Sequence, residues 1–259
     1  MRLKDKAILV TGSTTGIGEA IARRCVAEGA RVMIHGRDRQ RAAALASELA
    51  PAAAFHCNDL ARAESAAELI DATIAALGRL DALVNNAAST ERGDIYTTTP
   101  ELFDRIIAIN LRAPLLLIKA ALPHLKRSRG CVLNIGSVNA YCGEPNLLPY
   151  SISKGGLMTL SRNLADALAR EGVRVNHFNV GWVITPNEYR LKVAEGLPPD
   201  WDRHPPRSAA PFGRLIYPEE IAAAAVFWLG DESAVISGSV LELHQHPVIG
   251  RNPPKEDER

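Results

Sequence analysis

The chain carries almost no net charge, no paired-cysteine motif and no long apolar run, and each absence removes a class of function. Its 30 basic residues stand against 29 acidic ones, so no bulk field draws it toward nucleic acid or an anionic membrane. The four cysteines, Cys25, Cys57, Cys131 and Cys142, lie far apart with no C-x-x-C and no metal-ligand spacing. Each is expected to be a free thiol in a reducing compartment. No stretch approaches the roughly 18 consecutive apolar residues of a bilayer span, and Met1 to Lys6 lead toward a strand without the apolar core of a signal peptide. The expected location is cytoplasmic. No internal repeat or low-complexity linker divides the sequence, so residues 1–259 are expected to form a single domain.

What is present is ample apolar material, 47% of residues, arranged in a repeating rhythm. Residues 7–10 form a short apolar run, followed by Thr11-Gly12-Ser13-Thr14-Thr15-Gly16-Ile17-Gly18 and an amphipathic segment to about residue 28. This reads as strand, glycine-rich turn and helix, with a second strand at 31–35. Further helices are expected at about 38–49, 62–77, 99–111, 114–126, 150–170 and 218–229. Strands are expected at 53–56, 82–85, 131–135, 173–179 and 240–243. On the 62–77 helix, Ala63, Ala66, Ile70, Ile74 and Leu77 should form the buried stripe. Strands alternating with helices imply an α/β fold, a mostly parallel sheet covered on both faces.

In such a sheet, ligands bind beyond the carboxyl ends of the strands, where the strand order reverses. Gly12, Arg37, Asp59, Asn86, Ser137 and Gly181 each lie just past a proposed strand, so all should line one edge. At the first junction, glycines let the backbone approach a pyrophosphate at a helix N-terminus, where free N–H groups and the helix dipole favour an anion. A tight turn without a ligand is the alternative reading of the glycines alone. Tyr150 and Lys154 fall four apart on one helix and so share a face. An ammonium beside a phenol favours the phenolate, so Tyr150 is expected to titrate below its ordinary value of about 10 and to shuttle a proton near neutrality.

Taken together, Thr11-Gly-x-x-x-Gly-Ile-Gly18, Asp59-Leu60, Asn85-Asn86-Ala87, Asn110, Ser137, Tyr150-x-x-x-Lys154 and Thr185 resemble the short-chain dehydrogenase/reductase family over roughly residues 5–243. The resemblance implies a Rossmann-type doubly wound sheet, a nicotinamide dinucleotide cofactor and a catalytic tetrad of Asn110, Ser137, Tyr150 and Lys154. In that chemistry a hydride passes between the nicotinamide and a carbinol carbon while a proton passes between the alcohol oxygen and the enzyme. Tyr150 is then the acid/base, Lys154 lowers its pKa and binds the nicotinamide ribose, and Ser137 steadies the substrate oxygen as charge develops. Asn110 would hold a water linking Lys154 to solvent; a buried partner for a kinked helix is its alternative role. For the cofactor, the resemblance implies contacts from Gly12, Thr14, Thr15, Gly16, Ile17 and Gly18 at the pyrophosphate, and from Asp59 and Leu60 at the adenine. Asn86 falls at the adenosine-side ribose, and Gly181, Val183 and Thr185 on the nicotinamide side.

The end of the second strand bears on which dinucleotide binds. An acidic residue there would accept from the adenosine 2′-hydroxyl and repel a 2′-phosphate; Ile34-His35-Gly36-Arg37 lacks it. Arg37 could pair with the 2′-phosphate of NADP, although Thr14 and Thr15 stand where many NADP-using relatives carry a second base and Asp38 dilutes the field. NADP(H) is expected, with NAD(H) still open, and a solvated surface arginine is the alternative for Arg37.

Departures from the family pattern are Ala88 in place of a glycine, Val180-Gly181 in place of Pro-Gly, and the tail from His244 to Arg259. The spacing of His244 and His246 could suggest a metal, but no third ligand is evident; no metal site is expected, and a pocket-rim or interface role is preferred. Residues 185–215 correspond to the family's mobile substrate flap. They are rich in proline and include Tyr189, Trp201 and His204, with Trp182 just before them; packing of the loop on itself is as good an account of the aromatics. Asn139, Glu144 and Asn146 suit a small polyhydroxylated substrate, a sugar, polyol or sugar-derived acid, better than a fatty acyl chain. A 3-oxoacyl-thioester reductase is the alternative, poorly served by a flap whose Arg190, Lys192, Arg203 and Arg207 alternate with acids. A non-catalytic NADP-binding sensor is the alternative of another class. The resemblance implies a homotetramer packed through about 114–126 and 151–170.

Overall fold

A computed structural model describes residues 1–249. Seven parallel strands form one sheet in the order β3-β2-β1-β4-β5-β6-β7. They are β1 (Ala7–Val10), β2 (Arg31–Gly36), β3 (Ala53–Cys57), β4 (Ala82–Asn85), β5 (Cys131–Ile135), β6 (Arg174–Val180) and β7 (Val240–Leu243). The chain builds outward from β1 to β3, then returns to lay β4 on the other side of β1. That reversal leaves a crevice beyond the carboxyl ends of β1 and β4.

The layers follow from strand alternation. Ile8 and Val10 face one core, packed with Ile21, Ala22 and Cys25 of α1 (Gly16–Ala27), Ala42 and Leu45 of α2 (Arg39–Glu48), and Ile221, Ala225 and Val226 of α9 (Pro218–Leu229). Ala7 and Leu9 face the other, with Leu69 and Ile70 of α3 (Ser65–Leu77), Leu117 and Ala121 of α5 (Ala113–Ser128), and Ala165 of α7 (Leu148–Ala167). Every residue of β1, β4 and β5 is buried, which is why these runs are mostly apolar rather than alternating, with Asn85 and Asn134 paired to each other.

Four details differ from the sequence expectation. The α3 helix begins at Ser65, leaving Ala63 exposed outside it, and its buried stripe takes in Leu69 and Thr73. The two helices expected at 99–111 and 114–126 are one continuous helical run. α4 (Pro100–Ile107) passes into α5 through a π-helical segment, Ala108–Arg112; Pro114, in the first turn of α5, has no N–H to give the turn before it, and the widened π turn accommodates that break in the ladder. That run, Pro100–Ser128, is long and apolar enough to cross a membrane by length and composition. Here Leu117, Ile118, Ala121 and Leu125 are spent on the core beside the sheet. Finally, the 185–215 segment contains a helix, α8 (Pro186–Ala194), and a short helix, α6 (Asn139–Cys142), precedes α7.

Candidate active site

Ser137 follows β5 and is 8% exposed, while Lys154, one turn along α7 from Tyr150, is 3% exposed. The start of α7 is pinned by Leu147 and Leu148, which pair with Gly93 of the β4–α4 loop. The Ser137 side chain is near enough to the Tyr150 phenol to favour its ionised form, and the Ser137 hydroxyl accepts from the Asn139 N–H at 3.2 Å. Lys154 Nζ lies 5.6 Å from the Tyr150 ring centroid and donates to the Ile135 carbonyl at 2.7 Å. Three of the four expected catalytic side chains therefore meet in one volume at the sheet edge.

Their acidities depart from the sequence expectation. Burial pushes the Tyr150 phenol above its ordinary value; the Ser137 side chain opposes that, Glu188 adds to it and Arg92 opposes it. Burial lowers Lys154 itself to about 8. Without a cofactor, the low dielectric disfavours charge on both groups.

Asn110 occupies the π-helical segment, fully buried. Its side-chain oxygen accepts from the Ser89 N–H at 2.8 Å, and its amide donates to Ser89 O and Ser153 Oγ, both at 3.0 Å. The side chain thus ties the β4–α4 loop to α7 and has no donor left over. Any water held by Asn110 must be held through its main chain, which the widened π turn is suited to expose.

At the crevice, Gly12 and Gly16 adopt φ of +61° and +60°, conformations that cost other residues dearly. A Cβ on Gly12 would fall 2.8 Å from Ala87 Cα, and one on Gly18 only 2.4 Å from Asn86 Nδ2. Thr15, the N-cap of α1, makes no side-chain cap, whereas Asp38, Thr99 and Thr185 cap α2, α4 and α8. The first turn of α1 therefore keeps free N–H groups behind a backbone that an anion can approach, and the residues present fit a dinucleotide pyrophosphate. Thr14 packs on Gly36, where any side chain would collide with it at 2.6 Å; Ile17 packs against the α1-side core.

Asn86 has a different role from the one expected. Both hydrogens of its amide are used on the turn, on Thr11 O at 2.9 Å and Gly12 O at 3.0 Å, leaving only its carbonyl oxygen for a ligand. Thr11 Oγ1 reciprocates by accepting from the Asn86 and Ala87 N–H groups. The glycine-rich turn and the β4–α4 loop are braced as one piece. Arg37 is exposed and makes no hydrogen bond or ion pair among the described residues. Asp59 is exposed and accepts from Ala61 N, while Leu60 is buried.

Beyond β6, Gly181 donates to Leu243 O at 2.9 Å and lies against the His244 ring, which a Cβ would meet at 2.1 Å. Val183 bridges to Ile216. Thr185 caps α8 through the Glu188 N–H at 3.1 Å and sits against Gly16, bringing the flap to the cofactor turn. The flap aromatics pack on one another: Trp182 stacks on Trp201 at 5.3 Å, and Tyr189 lies 6.4 Å from Trp201. The His244 and His246 rings are 4.0 Å apart, but the described residues contain no cluster that could hold a metal. Between them, Gln245 accepts from Phe212 N and donates to Arg214 O, so the tail fastens the flap. Its last residues, 250–259, lie outside the described residues.

Sequence reasoning missed two further sets of residues. His35 accepts from Gly12 N through Nδ1 at 3.3 Å and donates from Nε2 to Asn58 at 3.1 Å. Burial drops its pKa to about 4, so it is neutral in that tautomer and shapes the glycine-rich turn. A second histidine, His177, ends a buried chain from Asn85 to Asn134 to Ser161, with links of 2.8, 2.8 and 2.9 Å. Its Nε2 meets Asn179 at 2.9 Å, and the ring fills the space a Gly136 side chain would need, within 2.0 Å. That packing sets the backbone immediately before Ser137. Both histidines sit inside buried strands, and that placement is the signal the sequence carries for them.

Comparison with known proteins fits this geometry. The family model described as enoyl-(acyl carrier protein) reductase matches residues 12–244. The chain is 36% identical to L-fucose dehydrogenase of Oryctolagus cuniculus over 97% of this chain and 88% of that one. It is 34% identical to dehydrogenase/reductase SDR family member 4 of Sus scrofa, over 92% and 86%. It is 29% identical to meso-2,3-butanediol dehydrogenase of Serratia marcescens, over 98% and 99%. Among solved structures, 3-ketoacyl-(acyl-carrier-protein) reductase from Brucella melitensis complexed with NADH superimposes with a TM-score of 0.82 at 30% identity, over 93% of this chain and 97% of that one.

Proposed function

The chain belongs to the short-chain dehydrogenase/reductase family and is a nicotinamide-dependent oxidoreductase acting on an alcohol or ketone; from that premise we propose that Tyr150 is its acid/base and that its substrate is a neutral sugar or polyol. The observation that carries the reading is the meeting of Ser137, Tyr150 and Lys154 at the same carboxyl edge of the sheet as the open first turn of α1. A bound nicotinamide supplies the hydride acceptor or donor. Tyr150 holds or takes the proton at the substrate oxygen, and Ser137 hydrogen-bonds that oxygen as its charge changes. Lys154, turned from Ile135 O toward the ribose and phenol, supplies the cation that the phenolate needs. Asn110 fixes α7 against the β4–α4 loop and offers its main chain to a water.

In this reading Gly12, Thr14, Thr15, Gly16, Ile17 and Gly18 receive the pyrophosphate, Asp59 and Leu60 border the adenine, and Gly181, Val183 and Thr185 border the nicotinamide. Arg37 supports NADP(H) over NAD(H): it makes no hydrogen bond or ion pair among the described residues and feels Glu91 only through space, so its donors are free for a 2′-phosphate. The sugar and diol names of two relatives support the substrate class. The 3-oxoacyl-thioester alternative has a structural relative in its favour. Against it, Lys192 is already paired with Glu195 and is not free for a phosphorylated carrier arm. We also read the chain as one dinucleotide-binding domain with a flap near its C-terminus, working as a homotetramer in the cytoplasm, where its four free cysteines would stay reduced. A panel of sugars, polyols, oxo-esters and steroids, followed by nicotinamide absorbance with both cofactors, tests this. Sugars or polyols with NADP(H) should react best, and a preference for oxo-thioesters would contradict it.

A further inference from the structure

Ser137 leaves the sheet through a stretch of backbone that rests on a buried imidazole. His177 of β6 is fully buried. Its main chain is fixed on both sides, opposite Asn134 of β5 and through an N–H donated to Ser239 O at 2.9 Å. Its ring is held to α7, the helix that carries Tyr150 and Lys154, because Nδ1 lies 2.9 Å from Ser161 Oγ. Nε2 lies 2.9 Å from Asn179 Oδ1, and the Asn179 amide reaches Met158 Sδ of the same helix at 3.4 Å.

The bond between His177 and Asn179 lies directly beneath Gly136. A Cβ on Gly136 would stand 2.0 Å from His177 Nε2, 2.6 Å from its Cε1 and 2.8 Å from Asn179 Oδ1. The same backbone is tied to β6 on either side of that contact: Gly136 N–H donates to Phe178 O at 2.6 Å, and Val138 N–H to Val180 O at 3.1 Å. The peptide entering Gly136 carries the Ile135 carbonyl to which Lys154 donates at 2.7 Å, and the peptide leaving it leads into Ser137. One ring therefore sits between the strand end that presents Ser137 and the helix that presents Tyr150 and Lys154. Both its nitrogens are engaged and it has no exposed surface, so it has no route for exchanging a proton with a substrate. What it can do is fix distances. An apolar side chain of similar bulk would leave Ser161 and Asn179 without this partner.

We propose that His177 is a positioning residue for the reaction: its ring, wedged between α7 and the Gly136 backbone, sets the placement of Ser137 relative to Tyr150 and Lys154. The proposal rests on the assignment of the reaction to those three side chains above. Steric exchange tests it. Gly136 has no left-handed φ, so alanine there is opposed only by the ring and the Asn179 amide beside it. His177→Ala removes the support, Gly136→Ala pushes on it from the other side, and the double variant puts a methyl into the vacated space. Each is measured for kcat, KM and pH profile with the best alcohol of the substrate panel, per cofactor-binding site counted by fluorescence titration. Each single variant should lose about 10- to 100-fold in kcat, with KM and the cofactor dissociation constant held within about threefold. The limb of the pH profile set by Tyr150 should move to higher pH, since Ser137 in its present place favours the phenolate. The double variant should lose less than the product of the two single losses, because the collision needs the ring. A purely structural role would lower the number of binding sites and leave kcat per site and the pH limb unmoved. That result, or single losses that simply multiply, refutes the positioning while leaving the oxidoreductase reading intact; Gly136→Ala decides the matter if His177→Ala does not fold. A wild type inactive on the whole panel with either cofactor refutes that reading and the positioning with it.

Discussion

Burying the Lys154 ammonium has a measurable cost in the protein without its cofactor. Its pKa in the fold is lowered from 10.5 to about 8 by burial alone. A group that holds its proton more weakly when folded opposes folding below its folded pKa, and the penalty disappears as pH rises to the unfolded value. Between pH 8 and 10.5 the unfolded chain binds the proton that the folded one has shed, so stability should rise with pH in this window. At about 1.4 kcal/mol per pKa unit, the gain is about 2 kcal/mol by pH 9.5 and about 3 kcal/mol in full. The raw profile of wild type would obscure it. Cys25, pushed up to about 12 by burial, and the raised Tyr150 contribute slopes of the opposite sign in the alkaline range. Lys154→Met shares those slopes and lacks only the lysine. Urea unfolding of both proteins at pH 7.5, 8.5 and 9.5 should show wild type gaining about 2 kcal/mol on the variant across the series. Parallel stability curves would refute the claim that Lys154 is a strained, buried cation awaiting its ligands.

Other expectations follow from single contacts. Arg37→Ala should weaken NADPH binding by about 1–3 kcal/mol with little change for NADH, measured by fluorescence titration; equal losses would dismiss the 2′-phosphate pairing. Ser161→Ala strands Asn134 and His177, both buried without substitute partners, and should cost about 2–4 kcal/mol in denaturant unfolding. A loss under about 0.5 kcal/mol would show that the buried chain does not hold the strand ends.

The sheet was readable because its signals are local. Buried parallel strands such as Ala7–Val10 are apolar throughout, and the glycine-rich turn announces the first crossover. The helix boundary at 111–114 was misread because Pro114 looks like a stop, whereas a π turn lets it sit at a helix start. The site was legible in its residue types and less so in their electrostatics. A Tyr-x-x-x-Lys spacing sets proximity, but it does not reveal the burial that raises the phenol and lowers the lysine. Asn86 and Asn110 show the same limit: an asparagine motif does not reveal that its amide hydrogens are already committed to Gly12 or Ser89. His35 and His177 read as ordinary strand residues, since their partners come from other elements.

The central claim is that the Tyr150 hydroxyl carries the reaction's proton. Tyr150→Phe removes that oxygen and keeps the ring, so its steady-state rate with the best alcohol of the panel, measured beside its cofactor dissociation constant, bears on the claim most directly. The account predicts turnover reduced by about 10²–10⁴-fold with cofactor affinity held within about twofold; a variant turning over near the wild-type rate would contradict it.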